Sequence, residues 1–462
     1  MHTSAASDAQ IAAPHPDWLV KPADANELDA KIWPSTAKRF DGTLSLGGVL
    51  VTDAAREEGT PVYLIDEEDF RSRAKAFKDA FPGWSVFYAG KAFLSRTIAR
   101  WVKEEGLCLD VCSMGELETA LRADFDTAKI GFHGNNKSEA EIRYALENGV
   151  GRIFADSFDE ISRIDRIAGE LGVTANVMTR VTAGVSAHTH EYIMTAHEDQ
   201  KFGFSIASGQ ALKAMLRCNE AESINLRGIH SHIGSQIFET DGFEAAAMRT
   251  MKLLAQFADA TGTQLPELDL GGGFGIAYTS QDEPATPADL GKDLQQIVSA
   301  QAEILNLNVS QVSIEPGRSI VGPTGVALYT VGTVKVVELE QGSRVYVAVD
   351  GGMSDNIRPA LYGAEYTAVL ANRSSDAEPV LCRIVGKHCE GGDIVVHDVF
   401  LPGDIAPGDL VAVPACGAYS YAMASNYNHI PRPPVVSVKA GRLQTMIRRE
   451  TLADLARLDV GE

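Results

Sequence analysis

The 462-residue chain contains no apolar run near the roughly 18 residues that a membrane span needs. Its opening residues 1–29 also lack the basic start and apolar stretch of a secretory signal. Together these absences predict a cytoplasmic chain with no membrane partner. Cysteine is sparse: Cys108, Cys112, Cys218, Cys382, Cys389 and Cys416 are spread along the chain and form no CxxC pair. Neither a disulfide scaffold nor a zinc knuckle is therefore expected, and the thiols should be free. Basic residues are in deficit, 41 Lys and Arg against 62 Asp and Glu, for a net charge of -21 and a pI near 5.0. A surface that binds polyanions concentrates Lys and Arg, so this balance argues against nucleic acid as a partner.

The length exceeds what one hydrophobic core usually supports, and two domains are the expectation. Residues 1–32, rich in Ala, Asp and Pro and poor in periodic apolar positions, read as a flexible tail. From Pro61 the chain alternates strictly. Eight short β-rich runs, at 85–88, 107–111, 130–132, 152–154, 176–181, 226–229, 267–270 and 312–314, are separated by segments with apolar residues at i, i+3 and i+4, such as 116–123, 139–146, 161–171, 245–258 and 290–304. Eight strand-helix repeats predict a closed (β/α)8 TIM-type barrel over residues 61–325, close to the ~250 residues that fold requires. The spacing of strand-end polar residues agrees, since Asp110 to His133 and His133 to Asp156 are both 23 residues. Beyond Val326 helical periodicity stops and strands are expected at 326–339, 344–349, 380–385 and 409–413. Residues 326–462 thus read as a second, mostly β domain, sandwich-like or barrel-like, with strands from 33–60 (placed at 43–52) joining it from upstream of the barrel.

In such barrels chemistry sits at the carboxyl ends of the strands. Lys91 follows strand one, Asp110 and Glu116 (DVCSMGE) strand two, His133 (HGNNKS) strand three, His232 and Ser235 (HSHIGSQ) strand six, Gly271 to Gly273 strand seven, and Glu315 to Arg318 (EPGR) strand eight. A three-glycine turn lets backbone N–H groups approach an anion without a Cβ in the way, and Arg318 adds a bidentate partner for phosphate. A lysine able to form a Schiff base, facing a phosphate site, points to pyridoxal 5'-phosphate.

The motifs YAGKA, DVCSMGE, HGNNKS, HTHEYIMTAHEDQKFGFS, HSHIGSQ, LGGGFG, EPGR, GKHCEGGD and GAYSYAMASNYN, in this order over residues 33–434, resemble the diaminopimelate decarboxylases. That family belongs to the alanine-racemase-like, fold type III pyridoxal phosphate enzymes, and YAxKA and EPGR are shared with ornithine and arginine decarboxylases. One departure is Phe93, where many relatives carry Asn. The resemblance implies that Lys91 holds the cofactor, that Glu315 faces its ring nitrogen and keeps it protonated, and that His232 stacks on the ring. It further implies a phosphate cradle of Ser235, Gly272, Gly273, Gly317 and Arg318, with Asp110 and Glu116 beside the reacting end. For Asp110 and Glu116 a helix cap and a first-turn acid are the competing structural reading. By the same resemblance Cys389 protonates the carbon left by carbon dioxide, Glu390 holds the distal ammonium, and Arg358, Tyr362 and Arg318 hold the distal carboxylate. Tyr419 reaches phosphate and substrate alike.

The activity implied is decarboxylation of meso-2,6-diaminopimelate to L-lysine, the last step of lysine biosynthesis, by a homodimer whose active sites are shared between chains. An ornithine- or arginine-type decarboxylase and a non-catalytic pyridoxal phosphate-binding regulator are the alternatives. Residues 187–205 interrupt the repeat and read as a lid carrying Lys201, Phe202 and Gly203. The HxH pattern of His188 and His190, with His197, lacks carboxylates at ligand spacing, so no metal is expected.

Overall fold

A computed structural model of the chain describes residues 13–185 and 200–461. His188, His190, His197 and most of the lid segment therefore lie outside the described residues. The chain divides into two compact units, one of Arg71–Gly275 with Pro284–Ile320, the other of Met1–Phe70, Ile276–Glu283 and Val321–Glu462.

The first unit is the eight-stranded barrel. Its strands are β1 (Ser85–Ala89), β2 (Cys108–Val111), β3 (Ile130–Phe132), β4 (Arg152–Ala155), β5 (Ala175–Thr182), β6 (Ile224–Ser231), β7 (Glu267–Asp269) and β8 (Gln311–Ile314). All neighbours pair in parallel, and β8 returns to β1 with Ser313 opposite Ser85, which closes the ring. Covered on both faces, the strands need no polar alternation, and β1, β2, β3 and β4 are accordingly buried almost throughout. The bulge in β6 falls at Gly228, where a Cβ would lie 1.8 Å from the Glu267 carbonyl oxygen. Only glycine fits there.

Helices α1 (Arg96–Glu104), α2 (Met114–Leu121), α3 (Glu139–Glu147) and α4 (Phe158–Leu171) follow β1 to β4, and each starts at a serine. The hydroxyls of Ser95, Ser113, Ser138 and Ser157 accept the N–H groups of Ile98, Glu116, Glu141 and Glu160, the third helical position in each case. This capping sets each strand-to-helix turn on the carboxyl side of the barrel, where the candidate site lies. At the opposite pole Glu267 is clamped by Arg152 (2.5 Å) and Arg227 (2.8 Å), a purely architectural ion cluster.

In the second unit β9 (Gly325–Leu339), β10 (Gly342–Val349), β11 (Val369–Leu370), β12 (Pro379–Val385), β13 (Ile394–Pro402), β14 (Leu410–Val413), β15 (Val435–Lys439) and β16 (Arg442–Ile447) build the larger sheet. One further strand of that sheet, Val62–Asp66, runs antiparallel to β9 and parallel to β15. The N-terminal strand contribution therefore differs from expectation. Residues 43–52 supply Thr43–Leu46 and Val49–Leu50 to a separate three-stranded sheet, then enter a helix at Val51, whereas Val62–Asp66, assigned by sequence to the barrel domain, joins the β sheet. Burial explains the exchange: Val62 and Leu64 pack with Leu44, Leu46, Val326, Leu328 and Val436 in one core. The boundary thus falls at Phe70, past residue 60, and at the other end at Ile320. Nor are residues 13–32 loose. Ala13 donates to the Ser343 carbonyl at 3.0 Å and packs against Leu381 and Phe400, while Ile32 and Trp33 join the core.

Candidate active site

Lys91 sits in the single 3₁₀ turn Gly90–Ala92 that leaves β1. It opens onto a cavity of about 280 Å³ within the barrel unit, whose lining includes Asp110, Cys112, His133, Arg180, Phe202, His230, His232 and Glu315. Lys91, Asp110, His232 and Glu315 are thus brought together as the sequence led us to expect. Phe93, the departure from the family pattern, is buried, and its carbonyl accepts the Tyr88 hydroxyl at 2.7 Å. That bond stiffens the turn carrying Lys91.

Glu315 is the electrostatic centre. His133 Nε2 and His230 Nε2 approach its Oε1 at 3.1 and 3.2 Å. Burial by itself would raise the Glu315 pKa, but the imidazoles of His230 and His133 outweigh it and hold the carboxyl well below the usual range. Asp110 moves the other way, pushed well up by burial and by the charge of Glu315. Asp269, which accepts the Gly271 N–H at 2.8 Å beneath the glycine turn, is pushed up to about 7 by burial and by Glu315. Of the three carboxyls, Glu315 is the one held toward the ionised form. Burial, with the nearby cations Lys91 and Arg180, holds His232 well below the ordinary imidazole range. A neutral ring there can stack on a cofactor without competing for its charge.

The glycine turn after β7 is locked from behind. A Cβ on Gly272 would lie 2.3 Å from the Glu315 carbonyl oxygen, and Gly273 holds φ +115°. Loop 234–237 runs alongside, with Ile237 N–H donating to the Gly273 carbonyl at 2.9 Å. Arg318 Nη2 donates to Ser235 Oγ at 2.9 Å, and a Cβ on Gly317 would strike the Ala89 Cβ at 2.8 Å. Ser235, Gly272, Gly273, Gly317 and Arg318 thus set two glycine turns beside a guanidinium, a fit for a phosphate. Glu315 Oε1, buried and met by the two imidazoles only at poor hydrogen-bonding angles, fits a pyridinium N–H. Glu116 lies in the first turn of α2, where its carboxylate accepts the Cys112 N–H at 2.6 Å.

Three cavity residues, His230, His133 and Arg180, escaped the sequence reading as site groups. His230 precedes His232 by two, on the same side of β6 by strand alternation. That signal was available in HSHIGSQ. His133 was recognised as a strand end only, yet its ring stacks on Phe154 at 3.7 Å and turns toward Glu315. Arg180 of β5 lies over the Phe202 ring at 4.4 Å, and Gly203 N–H donates to Asp156 at 2.7 Å, so the described end of the lid segment is seated on the cavity wall.

The remaining candidates belong to the β unit. His388 is buried, with Nε2 2.8 Å from Ser354 Oγ and Nδ1 3.0 Å from Asn428 Oδ1, and Asp393 accepts its N–H at 2.7 Å. This network anchors the turn that presents Cys389 and Glu390, both exposed. Arg358 begins a short helix ending at Tyr362. Its buried guanidinium donates to the Tyr366 hydroxyl and lies 4.7 Å from the Tyr278 ring. Tyr419 is half-buried.

Residues 67–322 match the family model described as "Pyridoxal-dependent decarboxylase, pyridoxal binding domain". The chain is 51% identical over 440 residues to the diaminopimelate decarboxylase of Mycobacterium tuberculosis, covering 94% of this chain and 98% of the relative. It belongs to the diaminopimelate decarboxylase family. The family member of Bacillus subtilis is 47% identical over 423 residues, covering 91% of this chain and 95% of the relative. Among solved structures, a diaminopimelate decarboxylase from M. jannaschii in co-complex with L-lysine superposes with a TM-score of 0.86 at 31% identity, covering 93% of this chain and 98% of that one. The family requires pyridoxal, in keeping with the lysine, carboxylate and cradle described above. Among the described residues no helix is long and apolar enough to cross a membrane.

Proposed function

We propose that this chain, as a cytoplasmic homodimer, releases carbon dioxide from meso-2,6-diaminopimelate and so forms L-lysine, with pyridoxal 5'-phosphate as its cofactor. The observation that carries the reading is the single cavity in which Lys91, His232 and Glu315 meet beside the Gly272–Arg318 cradle, in a chain of this family. When bound, pyridoxal phosphate accepts the electron pair that the departing carboxylate leaves on the substrate carbon.

The chain's own residues prepare that event. Lys91 Nζ would hold the cofactor covalently and would give way to the substrate amine. Glu315, kept ionised by His230 and His133 against the penalty of burial, holds a proton on the ring nitrogen and so strengthens the electron sink. His232 would cover one ring face, and Ser235, Gly272, Gly273, Gly317 and Arg318 would bind the phosphate. Asp110, kept largely protonated by burial, can hydrogen-bond near the reacting end without adding negative charge where carbon dioxide leaves.

Cys389 Sγ delivers the proton to the carbon that lost the carboxylate. Glu390 holds the distal ammonium, while Arg358, Tyr362 and Arg318 bind the distal carboxylate, and Tyr419 touches phosphate and substrate. The exposed Cys389–Glu390 turn, anchored from below by His388, suits a role toward a second copy of the chain. Carbon dioxide release from diaminopimelate, ornithine, arginine and lysine tests the proposal. The first should be preferred over ornithine by at least ~100-fold in kcat/KM, because a pocket built for a carboxylate rejects a substrate that lacks one. Equal turnover would favour an ornithine-type enzyme.

A further inference from the structure

The wall of the cavity that holds Glu315 carries more ligand chemistry than decarboxylation uses. His133 Nε2 and His230 Nε2 lie 3.1 and 3.2 Å from Glu315 Oε1, and the ligand atoms of the three residues all fall within 4.8 Å of one another. Each side chain is more than nine-tenths buried, at 6%, 1% and 7% relative exposure. At these distances the two Nε2 atoms and Oε1 meet at poor hydrogen-bonding angles, so they satisfy one another only in part. Buried polar atoms left in that condition are costly, and three of them gathered within 4.8 Å invite a shared partner.

The spacing suits a cation. Ligand atoms bound at about 2.0–2.1 Å to a first-row ion, with angles near 90–109°, lie about 2.9–3.4 Å apart, which brackets both measured edges. Two imidazoles and one carboxylate are the donor set of zinc and its neighbours, not of calcium or magnesium. The donors are also held in place. The His133 ring stacks on Phe154 at 3.7 Å, and the Phe154 and His230 rings meet edge to face at 5.1 Å. A cavity of about 280 Å³ leaves room for waters to complete the coordination shell. Lys91 and Arg180 line the same cavity and oppose a divalent ion, and the Glu315 carboxylate on the same wall offsets part of their charge.

We infer that in the cofactor-free chain His133, His230 and Glu315 bind one divalent transition-metal ion of the zinc class, and that ion and cofactor exclude each other. The exclusion rests on the reading that Glu315 faces the cofactor's ring nitrogen, because one carboxylate oxygen cannot serve both. The ion site itself rests only on the three side chains. Metal-laden chain would then be slow to load cofactor, a point of control ahead of catalysis.

The test strips the full chain of cofactor with hydroxylamine and titrates it with cobalt(II) chloride, read by visible absorption and calorimetry. One ion per chain is expected, displaced as pyridoxal phosphate is added. Loss of even an outer partner of a metal ligand costs about 10- to 100-fold in affinity, so His133→Gln and His230→Gln should each weaken binding by at least about 100-fold. Two variants guard against one failing to fold, and melting curves identify that case. Absence of binding in stripped chain that still reloads cofactor overturns the ion site alone. Binding that survives both variants, or that disappears only in the His188→Ala, His190→Ala, His197→Ala triple variant, overturns it as well. Binding through the three residues that persists at full cofactor occupancy overturns the exclusion and the placement of Glu315 at the ring nitrogen.

Discussion

Replacing Gly272 by alanine gives the sharpest check on the phosphate cradle. The added methyl would sit 2.3 Å from the Glu315 carbonyl oxygen, whereas ordinary contact begins at 3.4 Å, so the turn or its neighbour must yield by 3.4 - 2.3 = 1.1 Å. Neither side moves freely: Gly271 N–H is bound to Asp269, and Glu315 N–H donates to the Gly271 carbonyl at 2.9 Å. A displacement of this size carries at least one phosphate-facing N–H out of hydrogen-bond range. A hydrogen bond to a charged group contributes about 1.5–3 kcal/mol, and at ~1.4 kcal/mol per tenfold this predicts cofactor binding weakened about 10- to 150-fold. Fluorescence titration of stripped chain with pyridoxal phosphate measures it, with circular dichroism to show that the fold persists. Gly115→Ala is the control, since the nearest atom to its new methyl is Ser113 Oγ at 3.9 Å. Cofactor affinity of Gly272→Ala within threefold of the parent would refute the cradle.

Borohydride reduction of the loaded chain followed by peptide mass analysis should place the cofactor on Lys91, and Lys91→Ala should show no covalent adduct; an adduct on another lysine sinks the assignment. Lys91→Ala and Cys389→Ala chains, each nearly inactive, should regain roughly a quarter of parental activity on subunit exchange, because random pairing makes half the dimers mixed and leaves one intact site in each. No recovery, with mixed dimers verified by mass, removes the shared site. Burial, opposed by the Gly352 N–H, pushes the Asp355 carboxyl up to about 7. Its folded pKa exceeds its unfolded value near 3.8, so the folded chain binds more protons between these two limits and loses stability as pH rises through them, by up to about 1.4 kcal/mol per pH unit. Denaturant midpoints between about pH 5 and 7 should fall more steeply for the parent than for Asp355→Asn, and equal slopes would contradict the assignment.

The barrel was legible in the sequence because each of its strands is a short run buried on both faces, and each is followed by a helix with its own apolar stripe. Local burial and period suffice to read such units one at a time. Lys91, His232, Glu315 and the glycine turn were legible for a related reason, since a closed parallel barrel gathers all its strand ends at one mouth. What lay beyond reach was the choice among partners. The run Val62–Asp66 reads equally well as a barrel strand or a sheet strand, and only the apolar surface of Gly325–Leu339 and Val435–Lys439, more than 250 residues away, selects the second. Residues 13–32 carry too few apolar side chains to announce a place of their own, yet Ala13 and Ile32 are buried in the apolar clusters of the β unit. The same holds for the cluster of His133, His230 and Glu315, drawn from the third, sixth and eighth strands. Sequence alone put His133 and Glu315 at strand ends, but the part of His230 and the approach of both imidazoles to 3.1 and 3.2 Å were decided by ring closure and by the Phe154 face against which the His133 ring lies.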